Sequence, residues 1–150
     1  MDPIPTSARL AEAFAFAAAL HGRHNRKGTT IPYVSHLMQV AGLVLEAGGD
    51  EDLAIAGLLH DAIEDAPGGD VDTVRSEIRS RFGSTVLRVV EGCSDTDVQP
   101  KPPWRERKES YLAHLADAED SVLLVSAADK RTHTARPAPR GGWWPSWIVW

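Results

Sequence analysis

From Asp50 to Pro67 the chain reads Asp-Glu-Asp-Leu-Ala-Ile-Ala-Gly-Leu-Leu-His-Asp-Ala-Ile-Glu-Asp-Ala-Pro. Leu53, Ile55, Ala56, Leu58, Leu59 and Ile63 make a helix through this stretch apolar on most sides, so other elements must wrap it. Its far end carries His60, Asp61, Glu64 and Asp65. His60 and Asp61 are neighbours that can reach one ion. On a continuous helix Glu64 and Asp65 return three and four residues after Asp61, to roughly the same face. Three carboxylates and an imidazole are costly to bury unless something offsets their charge, and a divalent cation would do so. The alternative is an acidic helix end left in solvent.

Apolar periodicity and Gly/Pro punctuation divide the rest of the chain into helices. A first helix is capped by Thr6 or Ser7 and stops at Gly22, with Leu10, Phe14, Ala17 and His21 on its buried stripe. A second starts after Pro32 and ends before Gly48-Gly49, placing His36 on an apolar face beside Leu37, Val40, Ala41 and Val44. The third opens at Asp50, with Glu51 and Asp52 in its first turn, and runs through the acidic group to Pro67. The fourth is capped at Asp70 or Asp72 and stopped by Gly83. The fifth begins at Ser84; its β-branched run also suits a strand, but its neighbours favour a helix. After a Pro-rich loop from Ser94 to Pro103, a sixth runs from Trp104 to about Ala116, with Tyr111, Leu112 and Leu115 facing inward. The seventh starts near Ser121, buries Val122, Leu123, Leu124 and Val125, and ends in Ala-Ala-Asp129-Lys130. The predicted fold is an all-α bundle of about seven helices over residues 1–130.

Residues 131–150 change character. Three prolines, Gly141-Gly142 and four tryptophans between Trp143 and Trp150 predict an irregular tail. At 150 residues and 43% apolar content the chain can build one good core. A net charge of −5 argues against a general nucleic-acid partner. The lone Cys93 rules out an internal disulfide and a thiolate metal cluster. The Met-Asp-Pro-Ile-Pro start lacks a signal-peptide pattern, and the Ala13–Leu20 run is too short to span a bilayer. The expectation is a cytoplasmic protein with no membrane partner.

His36, the pair His60-Asp61, and Asp129 sit on three separate predicted helices, each in apolar surroundings. Two imidazoles and two carboxylates suit Mn²⁺, Fe²⁺ or Zn²⁺. Such an ion makes bound water a stronger acid. Glu64 and Asp65 can then exchange protons with water and leaving group, with Arg26 and Lys27 as one phosphate contact and Arg107 and Lys108 as a second. Taken alone, Arg26-Lys27 reads better as a solvated basic loop, and Arg107-Lys108 is equally consistent with surface charge paired to Glu106 and Glu109.

The words Arg26-Lys27, Pro32-Tyr33-Val34-Ser35-His36, His60-Asp61-Ala62-Ile63-Glu64-Asp65 and Ala127-Ala128-Asp129-Lys130 resemble the H…HD…D pattern of HD-domain metal phosphohydrolases. They are closer still to the hydrolase domain of the RelA/SpoT type and its stand-alone small alarmone hydrolases. The resemblance covers roughly residues 7 to 130. It implies an all-α domain that binds Mn²⁺ through His36, His60, Asp61 and Asp129. It also implies Glu64 and Asp65 as the catalytic acids, Arg26 and Lys27 as substrate contacts, and a phosphorylated small nucleotide as substrate. The family removes the 3′-pyrophosphate of ppGpp and pppGpp, and some animal relatives act on NADPH. After Asp-Lys the family reads Leu-His-Asn and continues with further helices. Here the residues are Arg131-Thr132-His133, followed by the Pro/Trp stretch. The alternatives are therefore a general HD nucleotide phosphohydrolase, or an inactive HD fold that serves as a binding module.

Overall fold

The structure, a computed structural model, describes residues 6–95 and 101–134. The described residues form seven α-helices: α1 Ala8–His21, α2 Val34–Glu46, α3 Glu51–Leu59, α4 Val71–Phe82, α5 Ser84–Cys93, α6 Trp104–Ala116 and α7 Asp120–Thr134. Pro67–Gly69 adds one short 3₁₀ turn, and the sole strand-like feature among the described residues is an isolated Asn25–Pro32 bridge. The fold is all-α, and the fifth element is a helix.

Helix starts follow side-chain chemistry. Ser7 Oγ accepts from the Arg9 N–H, Asp50 Oδ1 from the Leu53 N–H at 3.0 Å, and Asp70 Oδ1 from the Thr73 N–H at 3.2 Å. Each satisfies an orphan donor of a first turn. Gly83, at φ 95°, turns the chain sharply between α4 and α5, where a side chain would be strained.

α3 is the axis of the bundle. Ala54 to Leu59 are all buried, and the helix packs against α1, α2, α5 and α7. Gly57 sits where α2 crosses: a Cβ there would meet the Ala41 Cα at 3.3 Å. Gly92 plays the same part between α5 and α7, where a Cβ would fall 2.5 Å from Val122 Cγ2. Around α3, the buried side chains Leu37, Val40, Ile78, Phe82, Val86, Val89 and Val125 complete one continuous core.

The predicted faces need correction in places. Phe14, Leu112 and Leu123 are exposed, at 39%, 65% and 39%. On α1 the small side chains Ala13 and Ala17, together with His21, make the deep contact, and Phe16 and Leu20 flank it. α3 is also shorter than its sequence implies. It ends at Leu59, because His60 Nδ1 lies 2.8 Å from the Gly57 carbonyl, which a continuing helix would pair with the Asp61 N–H. The Ala62 N–H then bonds the Leu59 carbonyl at 2.8 Å, a tighter turn, so His60 to Asp65 form turns instead of another helical rung.

At the other end, α7 passes the predicted boundary at Lys130 and continues to Thr134. The irregular tail therefore cannot begin at Arg131. Residues 135–150, with the four clustered tryptophans, lie outside the described residues, as does Asp97.

Candidate metal centre

Three elements bring the predicted ligands together. His36 comes from the first turns of α2, His60 and Asp61 from the turn after α3, and Asp129 from the inner face of α7. His36 Nε2 lies 3.4 Å from His60 Nε2, 3.3 Å from Asp129 Oδ1 and 3.9 Å from Asp61 Oδ2. His60 Nε2 lies 2.9 Å from Asp61 Oδ2 and 3.6 Å from Asp129 Oδ1. Donors about 2.1 Å from one cation stand about 3.0 to 3.4 Å apart, so His36, His60 and Asp129 have close to the span of a single coordination shell, while Asp61 touches His60 but falls outside that group of three. His36, His60 and Asp129 are all buried.

The hydrogen bonds behind the rings fix which nitrogens face inward. The Thr132 hydroxyl donates to the Asp129 carbonyl at 2.8 Å. Its contact with His36 Nδ1 at 2.7 Å must then be an N–H donated by the ring. His60 Nδ1 donates to the Gly57 carbonyl, a group that can only accept. In their neutral forms both rings therefore turn an unprotonated Nε2 toward the other and toward two carboxylates. Facing lone pairs require a proton or a cation between them, and the donor set fits a divalent ion of the Mn²⁺, Fe²⁺ or Zn²⁺ kind.

The electrostatics agree with that need. Burial opposes ionisation of Asp61 and Asp129, yet the imidazoles beside them hold both carboxyls far below the usual range. Burial likewise opposes a charged His60, but Asp61 and Asp129 raise its pKa well above the ordinary value. Burial lowers the His36 pKa. Tyr33 Oη donates to Asp61 Oδ2, and burial followed by that carboxylate keeps the phenol protonated.

Beside the four lies a cavity of about 170 Å³ whose lining includes Tyr33, His60, Asp61, Glu64, Asp95, Lys108, Tyr111, Asp129, Lys130 and His133. Glu64 thus faces the cavity. Its Oε1 accepts the Asp95 N–H at 2.7 Å and its Oε2 lies 3.8 Å from Lys101 Nζ. Burial pushes its pKa up to about 7, against the pull of that N–H. Lys108 Nζ reaches Asp95 at 2.7 Å, and Arg107 Nη1 holds both carboxylate oxygens of Asp95 at 3.0 and 2.8 Å.

Four predicted catalytic or substrate residues are placed outside the cavity lining, among them Arg107, which is paired with Asp95. Asp65 does not line the cavity: the break after Leu59 turns it toward His21, whose Nδ1 is 3.7 Å from Asp65 Oδ2. Arg26 is buried at 7% exposure and its Nη2 donates to the Thr132 carbonyl at 3.2 Å, a tie between a loop and α7. Lys27 is exposed and outside the cavity lining. Conversely, Thr132, His133 and Lys130 also belong to this site, Thr132 behind His36 and the other two in the cavity lining, although the sequence pattern does not mark them. His133 Nδ1 sits 3.1 Å from Asp129 Oδ1, and Lys130 Nζ bonds Asp129 Oδ2. Continuing the α7 register past Asp129 would have found His133, four residues on.

A family model for the HD domain matches residues 13–140. The guanosine-3′,5′-bis(diphosphate) 3′-pyrophosphohydrolase MESH1 of Xenopus tropicalis is 35% identical over 127 residues, 83% of this chain and 66% of that protein. Human MESH1 is 36% identical over 129 residues, again 83% of this chain and 66% of the relative. The bifunctional (p)ppGpp synthase/hydrolase SpoT of Escherichia coli (strain K12) is 33% identical over 134 residues, 85% of this chain but 18% of SpoT. The chain thus spans about two thirds of the MESH1 proteins and under a fifth of SpoT. A solved structure of a metazoan ortholog of SpoT that hydrolyzes ppGpp superposes with a TM-score of 0.72 at 29% identity, covering 84% of this chain and 68% of that one. No described helix is long and apolar enough to cross a membrane. On fold, ligand geometry and sequence together, the chain belongs to the HD domain family.

Proposed function

We propose that the protein is a metal-dependent phosphohydrolase that removes the 3′-pyrophosphate from guanosine alarmones such as ppGpp, with Mn²⁺ held by His36, His60, Asp61 and Asp129. The observation that carries the reading is the pair of inward Nε2 lone pairs flanked by the buried Asp129 and the half-buried Asp61 carboxylates, opening onto a cavity that holds both an acid and a base. The homologues named for this hydrolysis support the choice of substrate. When bound, the cation supplies positive charge to a phosphoryl oxygen and makes water a better proton donor.

The chain's own residues supply the rest. Glu64 Oε1 is engaged by the Asp95 N–H, so Oε2 is the atom that accepts the proton from attacking water. Lys108 and Lys130 border the cavity and neutralise phosphate charge, with Arg107 steadying Asp95 behind them. A cavity of about 170 Å³ takes a phosphate-sized head and leaves the nucleoside outside it. Tyr33 and Thr132 orient Asp61 and His36.

The test is Mn²⁺-dependent pyrophosphate release from ppGpp by the purified chain, with NADPH and ordinary nucleotides in parallel. Release from ppGpp that disappears in Asp61→Ala supports the assignment. Bound metal without turnover of any substrate would favour a binding module. Cleavage of ordinary nucleotides alone would favour a general nucleotide phosphohydrolase.

A further inference from the structure

A second cluster lies on the other side of Tyr33. His21 Nδ1 is 3.2 Å from His24 Nδ1 and 3.7 Å from Asp65 Oδ2, and the three donor atoms lie within 4.8 Å of one another. None of the three lines the cavity of the first centre. We propose that His21, His24 and Asp65 form a second divalent-cation site, of the Zn²⁺ type, with a fourth position open to solvent.

The backbone builds this cluster. His21 ends α1, and Gly22 lets the chain leave the helix tightly, since a Cβ there would lie 2.5 Å from the Ala18 carbonyl oxygen. The His24 N–H returns to the His21 carbonyl at 2.8 Å, and the Tyr33 N–H donates to the His24 carbonyl at 2.8 Å. The Asp65 N–H is tied to the Asp61 carbonyl at 3.0 Å. All three donors therefore stand on pinned turns.

His21 itself is buried at 1% exposure, and its Nε2 has no hydrogen-bond partner among the described residues. Every polar contact of this buried ring lies at Nδ1, where a nitrogen and a carboxylate oxygen converge on one atom. A single Nδ1 proton can serve one of those two acceptors, whereas a cation serves both. Tetrahedral donors 2.0–2.1 Å from Zn²⁺ stand about 3.3 to 3.4 Å apart; the His21–His24 separation of 3.2 Å matches that span, the His21–Asp65 separation of 3.7 Å is slightly longer, and all three atoms lie within 4.8 Å of one another. Two imidazoles and one carboxylate are a borderline-soft set that prefers Zn²⁺ to Mg²⁺ or Ca²⁺. The acidic stretch would thus serve two ions, through Asp61 on one side and Asp65 on the other.

The experiment measures zinc content of the full chain in a chelator-buffered Zn²⁺ series, and the visible spectrum after Co²⁺ loading. Wild type should take two equivalents. His24→Ala changes an exposed side chain and keeps both backbone bonds; it should retain one equivalent, bind the other at least tenfold more weakly, and lose the tetrahedral Co²⁺ bands of the second ion. His24→Gln should behave likewise. Asp61→Ala, checked for folding by circular dichroism, should keep the equivalent that depends on His24, so failure of the first centre and of the second are read separately. One equivalent in wild type that is lost in Asp61→Ala, or two equivalents untouched by His24→Ala, would overturn the proposal.

Discussion

Glu64→Gln tests how the cavity controls protons. The substitution removes the charge and keeps an oxygen to accept the Asp95 N–H. In the folded chain burial raises the Glu64 pKa from 4.5 to about 7, and its side chain is only 18% exposed. A raised carboxyl stabilises the fold fully below the unfolded value, and that contribution is lost as pH rises through the folded value. At about 1.4 kcal/mol per tenfold, the complete change is about 3 kcal/mol, of which about 2.5 falls between pH 5 and pH 8. Urea unfolding of both proteins in EDTA at pH 5 and pH 8 isolates this group, because other titrations cancel in the difference. Wild type should lose about 2 to 3 kcal/mol relative to Glu64→Gln on going to pH 8. A difference that is flat with pH would refute the buried, proton-holding Glu64. As the proton acceptor Glu64 must be ionised, so kcat/KM in the metal-loaded enzyme should rise with pH through its pKa, and this limb should vanish in Glu64→Gln.

Thr132→Val removes the hydroxyl that orients His36; metal affinity by titration calorimetry should fall about 10- to 100-fold while the fold persists. Adding Mn²⁺ to about a hundred times its Kd should stabilise the chain by about 3 kcal/mol in thermal melts, and EDTA should reverse the gain. Gly92→Ala drives a methyl into Val122 between α5 and α7; it should cost about 1 to 3 kcal/mol in urea unfolding at unchanged secondary structure.

Much of this was written in the sequence because burial and period coincide. An uninterrupted apolar α3 could only be central, Asp50 announced its helix start, and Ser7 and Asp70 were each one of two cap candidates between which the structure chooses. His36, His60, Asp61 and Asp129 stand out in the sequence as polar residues in apolar company, and the fold brings them near one another. What was not legible came from side chains that compete with the backbone or tie distant segments. His60 captures the Gly57 carbonyl and ends α3, so Glu64 and Asp65 part company where a helix would have kept them near one face. Arg26 looks like a free cation in its loop, but its bond to Thr132 spans 106 residues, beyond any local pattern. Thr132 and His133 were hidden by the prolines that follow, whose helix-breaking effect was carried too far upstream.

A rod enclosed by α1, α2, α5 and α7 has no wet side on which to spin. Slipping α3 by one residue would rotate it by about 100° and drive Asp52 or His60 into hydrocarbon. The reactive groups at its end are indexed by the core, as the teeth of a key are set by its shank. Repacking substitutions along this rod should therefore shift the turn that carries His60 and Asp61 before they undo the fold.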